Sequence, residues 1–144
     1  MRPRVKQSLL GAGLLFFAFL LISGGFWTFT HRPLQQTPHV QKRVQQAVKV
    51  RSHKTVVIFF RPGCAYCRAA TPAINQALIK HSANTILVNT RSSEGRQLYP
   101  QYSVTSVPVG VVIDHGHASW PQALTHGSSS AIRVDQRKLT HLWK

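Results

Sequence analysis

The sequence predicts an α/β fold, a mixed β-sheet flanked by helices on both faces and preceded by one N-terminal transmembrane helix, and three observations lead to it. Residues 9–29, LLGAGLLFFAFLLISGGFWTF, carry no charge. Three apolar runs rich in β-branched residues, TVVIFF (55–60), TILV (85–88) and VPVGVVI (107–113), are separated by stretches of helical periodicity or polar crossover. The chain's two cysteines, Cys64 and Cys67, follow the first of these runs and open a helical pattern.

The N-terminal end reads as an anchor. Residues 1–8, MRPRVKQS, form a basic tail with Arg2, Arg4 and Lys6. The uncharged residues 9–29 would make a helix of about 31 Å, close to the thickness of a bilayer hydrocarbon core. A buried core helix would show a polar stripe, and this stretch shows none. It is also longer than the roughly 7–15 apolar residues of a signal peptide, and Ser23-Gly24-Gly25 is a poor cleavage site. Phe26, Trp27 and Phe29 gather at its far end, as an interfacial aromatic belt does. The expectation is therefore an uncleaved, single-pass anchor in a cell membrane, with residues 30–39 as a linker and residues 40–144 as the folded domain. Arg32, Lys42 and Arg43 blunt the charge asymmetry, but long C-terminal domains translocate largely regardless of charge, which places this one outside the cytoplasm. Thiols there can stay oxidised.

Eighteen Lys and Arg against three acidic residues give a formal charge of +15. Such a surface is drawn to anionic partners, and an anionic lipid or cell-envelope surface fits it. Nucleic acid fits poorly, because the cations are scattered and do not interleave with aromatics.

Taken in order, the elements alternate. HRPLQQTPH (31–39) has two prolines and no apolar periodicity, so it reads as a short tether. VQKRVQQAVKV then places Val40, Val44, Ala47 and Val48 on one helical face. TVVIFF reads as a strand buried on both faces, ended by Arg61-Pro62-Gly63. Cys67, Ala70, Ile74, Ala77 and Leu78 recur at helical spacing up to Lys80-His81, with Pro72 expected to kink that helix. After the strand TILV, the crossover SSEGRQLYPQY (92–102) is predicted to be partly helical and broken by Pro100. Strand 107–113 follows, then a tight turn at Asp114-His115-Gly116 and a returning hairpin strand over His117–Trp120. Residues 121–134 read as a loop or as a short added strand at 131–134. Asp135 is the expected N-cap of a closing helix with Leu139, Leu142 and Trp143 facing inward.

The cysteine spacing carries the chemistry. A helix N-terminus presents unpaired N–H groups and a positive dipole end, which favour a thiolate on Cys64 and lower its pKa. Cys67, one turn on, is placed to resolve a mixed disulfide, and Arg61 and Arg68 add positive charge beside the pair. A structural zinc site needs four ligands, and no second cysteine pair exists to complete one. A disulfide closing so small a loop would remove little chain entropy. No cofactor or metal is called for.

The strand, the turn, Cys64-Ala65-Tyr66-Cys67, Pro72 five residues after the second cysteine, Val107-Pro108 after Tyr102, and the turn at His115-Gly116 together resemble the thioredoxin superfamily across roughly residues 40–144. That resemblance implies a thioredoxin-like sheet, a cis Val107–Pro108 bond beside the cysteines, and a substrate polypeptide held by Tyr66, Val107 and Pro108. The chain departs from cytoplasmic thioredoxins at Ile58, where they carry a buried acid, at Gly63, where they carry tryptophan, and at Ala65-Tyr66, where they carry Gly-Pro. The tyrosine before the second cysteine is similar to glutaredoxins and periplasmic disulfide isomerases, and the valine before the proline to periplasmic oxidases. Locally, Arg61-Pro62-Gly63-Cys64-Ala65-Tyr66-Cys67-Arg68 resembles membrane-anchored thioredoxin-like accessory proteins of Gram-positive bacteria, including those of bacteriocin secretion. The expected function is a membrane-anchored thiol-disulfide oxidoreductase, oxidant or reductant, with Cys64 as nucleophile and Cys67 as resolving thiol. Its expected partners are protein or peptide thiols and disulfides and a redox partner that resets the pair. The competing expectation is an accessory protein of a secretion or transfer system that uses the fold to grip a peptide.

Overall fold

All of TVVIFF beyond Thr55 is buried because strand β1 (Thr55–Phe60) runs through the middle of the sheet. The computed structural model describes residues 4–51 and 53–144, with side chains from Gly13 onward, so the side chains of Arg2, Arg4 and Lys6 lie outside it. Strand β2 (Thr85–Asn89) pairs with β1 in parallel, and β3 (Val109–Asp114) pairs with its other side antiparallel. Two short strands, β4 (His117–Ala118) and β5 (Gln122–Ala123), share the outer edge of β3. Ala118 faces Ile113 while Gln122 faces Gly110, so the edge carries one extra residue, a bulge at 119–121. That bulge is why the predicted strand over His117–Trp120 is cut short. A further hairpin joins β6 (Thr125–His126) to β7 (Arg133–Val134), so residues 121–134 hold three short strands.

Alternation along β1 splits the core in two. Val57 and Phe59 point to the face covered by helices α2 (Val40–Lys49) and α4 (Ser93–Gln101), where they meet Val40, Val44 and Leu98. Val56, Ile58 and Phe60 point to the opposite face, against Ala70 and Ile74 of α3 (Ala65–His81) and Leu139 and Leu142 beside α5 (Gln136–His141). Asp135 does cap α5, its Oδ1 accepting from Lys138 N at 3.1 Å. On β3, Gly110 gives up its side chain to Leu142, whose Cδ1 would stand 2.5 Å from a Cβ there.

Several local expectations give way to packing. Val48 is 38% exposed, because α2 presents only a narrow stripe to the sheet, Val40 and Val44 with Ala47 half-buried beside them. Pro100 does not break α4, which runs on to Gln101, since a proline this close to a helix end forfeits one N–H bond and little else. Helix α3 likewise continues through Pro72 to His81. Its Ala77 and Leu78 are only half-buried, and the buried place beside Ile74 is taken by Asn75. Strand β3 starts at Val109, two residues later than the apolar run, because Val107-Pro108 forms the approach to it.

The first helix, α1 (Arg4–Thr30), contains an 18-residue window, Gly13–Thr30, of mean hydropathy 1.7, long and apolar enough to cross a membrane. Gln36 and Thr37 of the following segment then lie along the outer edge of β2. Thr37 donates its N–H to Leu87 O at 3.0 Å and accepts from Leu87 N on Oγ1 at 2.8 Å, and Gln36 Oε1 accepts from Asn89 N at 3.3 Å. An edge that would otherwise expose unpaired backbone groups is thereby covered.

Candidate redox site

Cys64 is the N-cap of α3, and the chain reaches it through a turn that only a glycine tolerates easily: Gly63 has φ +78°. The N-cap position aims the thiol at the open N–H groups of the first turn. In the thiol form no capping hydrogen bond is made. Burial pushes the Cys64 thiol up, but the Cys67 N–H, the Cys67 thiol, the Tyr66 N–H and the Arg61 side chain together outweigh it. The result lies below the ordinary 9.0.

Cys67 is the opposite case. It is 4% exposed, packed among Ala70, Ile74 and Phe60. Burial and, after it, a thiolate on Cys64 push its thiol up to about 12, against the Arg61 N–H that donates to its Sγ at 3.4 Å. Both thiols are free. One cysteine is thus reactive and reachable, the other protonated and shielded until its neighbour is engaged. Iodoacetamide at pH 8 should therefore alkylate Cys64 alone, with a rate whose half-maximum falls below pH 9, while Cys67 stays silent until far higher pH. Peptide mass mapping would read this, and Cys67 modified first would contradict it.

Val107 and Pro108 stand across from the pair. The Val107–Pro108 bond is cis, and the Val107 carbonyl oxygen accepts from Cys64 Sγ at 3.9 Å. Residues 43 positions apart in sequence meet here because β1 and β3 are adjacent, so their ends bring the two turns together. Val107 is half-buried and touches both halves of the core, and Pro108 O accepts from Leu124 N at 3.0 Å. Tyr66 is held by the chain itself, its hydroxyl donating to Gly127 O in the β6–β7 turn at 3.2 Å. Arg61 is shared by both sides of the site, whereas Arg68 is exposed and borders only the cleft beside the thiols.

Two hollows flank the cysteines. One, of about 510 Å³, opens beyond Val107 and contains Arg61, Arg91 and Arg96. The other, of about 330 Å³, contains Cys64 and Cys67 together with His31, Pro33 and Leu34 of the tether. Sequence reasoning missed the tether residues and Asn75. A buried asparagine in an apolar helical face is a signal, because such a group must find partners, but only the fold shows that they are Thr30 and Arg32, 45 and 43 positions away.

A family model described as Thioredoxin matches residues 35–133. The fold is similar to thioredoxin O1 from Arabidopsis thaliana in the oxidised state, at a TM-score of 0.53 and 19% identity over 72% of this chain and 92% of that one. Thioredoxin O2 from the same plant, also oxidised, gives 0.52 and 19% over 72% and 90%. No curated protein matches the sequence. With a strand, turn and helix presenting one activated and one shielded thiol opposite Val107-Pro108, and with the family's model spanning most of its length, the chain belongs to the thioredoxin family.

Proposed function

We propose that this protein is a membrane-anchored thiol-disulfide oxidoreductase that acts on protein thiols and disulfides outside the cytoplasm. The observation that carries the redox reading is the division of labour at α3. Cys64, half-buried at the N-cap, has its thiol pKa lowered, and Cys67 is buried one turn later with its own raised to about 12. In the reducing direction the Cys64 thiolate attacks a substrate disulfide, a Cys64–substrate bond forms, and one substrate sulfur leaves and takes up a proton. Cys67 then loses its proton and attacks Cys64 Sγ. The Cys64–Cys67 disulfide forms, the second substrate thiol departs, and two electrons and two protons have passed to the substrate. Oxidation of a substrate dithiol is the same path reversed.

Pro108 is buried with its carbonyl taken by Leu124 N, and the Tyr66 hydroxyl is engaged by Gly127 O, which leaves the backbone of Val107 as the group beside Cys64 that would hold the substrate, in the manner of an added strand. The apolar α1 supports the anchor, and the formal charge of +15 supports attachment to an anionic envelope surface. The test is insulin reduction and refolding of reduced ribonuclease by the full chain in detergent, across a series of redox buffers. Activity in at least one assay, abolished in Cys64→Ser, is expected; inactivity in both would overturn the reading. The reduction potential then assigns direction, near about −270 mV for a reductant and near about −120 mV for an oxidant.

A further inference from the structure

Asn75 is the one buried side chain of α3 whose role neither the core nor the thiol chemistry explains. It is 8% exposed, and its Nδ2 donates to Thr30 O at 3.0 Å and to Arg32 O at 2.8 Å. These carbonyls belong to the last residue of α1 and to the tether just after it. A buried amide with both its protons committed to one backbone segment clamps that segment in place. Thr30 is itself buried at this contact, 7% exposed.

Beyond the clamp the chain stays attached. His31 Nδ1 donates back to Trp27 O at 2.9 Å, and its ring stacks on Trp27 at 4.5 Å, so His31 belongs structurally to the last turn of α1. Leu34 packs into the same half of the core as Cys67. Thr37 and Gln36 then fasten the tether to β2. No flexible joint separates the apolar helix from the redox domain at these points. The cleft that contains Cys64 and Cys67 is walled on one side by His31, the first residue past that helix.

The level of the membrane surface is marked on the same turn. Trp27 and Phe29 are exposed beside the clamp, and the Arg32 guanidinium lies 5.8 Å from the Phe29 ring centre. Aromatic rings with a neighbouring cation are the groups that settle at the headgroup layer.

We propose that Asn75 fixes the redox domain to its anchor so that the Cys64 cleft is held at the bilayer surface, and that the substrates are cysteines of membrane-inserted polypeptides lying at that surface. This rests on the anchor and redox readings above. A rigid mount raises the effective concentration of thiols at its own height and lowers it elsewhere, where a flexible tether would reach broadly.

The experiment uses the full chain in phosphatidylcholine nanodiscs. Single-span peptides carry a disulfide-linked reporter thiol either about 5 Å above the bilayer or about 30 Å higher, raised by about 20 residues of helical spacer. Exchange is expected to be at least about tenfold faster at the low position. The gradient should flatten in Asn75→Ala, and in a second variant with twelve Gly-Ser residues inserted between Thr30 and His31, which add about 19 Å of reach. The second variant leaves Asn75 and the domain sequence untouched, so it decides the matter if Asn75→Ala fails to fold. Equal rates at both heights in the unmodified chain would overturn the proposal while leaving the enzyme reading intact. Failure to co-purify with nanodiscs would overturn it through the anchor, and failure to exchange with any peptide or with insulin would overturn it through the redox reading.

Discussion

Cys67→Ala is expected to stop turnover, by at least about a thousandfold, while leaving attack by Cys64 in place. Cys64 keeps the Tyr66 and Cys67 backbone N–H groups and the Arg61 side chain that favour its thiolate, because the substitution changes none of them. It loses the thiol of Cys67, which ranks behind the Cys67 N–H and ahead of the other two, so its thiolate is favoured less than before but keeps three of its four supports. The variant should therefore form mixed disulfides with its substrates and fail to release them. Non-reducing electrophoresis of membranes containing Cys67→Ala should show high-mass species that collapse with dithiothreitol, and Cys64→Ser/Cys67→Ala should show none. Free turnover by Cys67→Ala would mean that another thiol resolves the complex, and the division between an exposed and a shielded cysteine would lose its meaning. Identifying the trapped proteins would also name the substrates.

The second large effect concerns a glycine. In an exposed helix interior, Gly→Ala gains about 1 kcal/mol. Gly95, in the first turn of α4, should do the reverse. A Cβ there would fall on the carbonyl oxygen of Asn89, a backbone atom fixed at the end of β2, while Ser92 Oγ already accepts from Gly95 N at 2.9 Å. Neither the strand end nor the capped turn can retreat without breaking the other. Gly95→Ala should cost more than about 2 kcal/mol, which for a domain of this size lowers the melting temperature by about 10 °C or more. Thermal unfolding of the two proteins in the same detergent measures it. An unchanged or raised midpoint would show that the contact relaxes easily.

Where a property is written in neighbouring residues it is readable: the continuous apolar run of β1, the helical face of Cys67, Ala70 and Ile74, the Asp135 cap, and two cysteines one turn apart after a strand. Hydrophobic period and turn chemistry are local quantities, and they sufficed for the mixed sheet with helices on both faces. Misjudgements fell where local preference met tertiary contact. Val48 has the right spacing to be buried and is not, because the face that α2 turns to the sheet is filled by Val40 and Val44 with Ala47 at its margin. Pro100 has the chemistry of a helix breaker, and the helix includes it because its lost bond lies in the final turn.

An apolar N-terminal helix and a thioredoxin-family domain with a single cysteine pair at a helix start are both legible in the order of the residues. The tertiary structure alone decided what surrounds that pair. It set the Val107 carbonyl oxygen 3.9 Å from Cys64 Sγ, tied Tyr66 to Gly127, and made His31, Pro33 and Leu34 of the nominal linker a wall of the redox cleft beside the Asn75 clamp on Thr30 and Arg32. The reason is physical. Secondary structure follows from forces acting over a few residues, whereas the pKa of a thiol and the shape of its cleft depend on which distant backbone groups the folded sheet brings within hydrogen-bonding range.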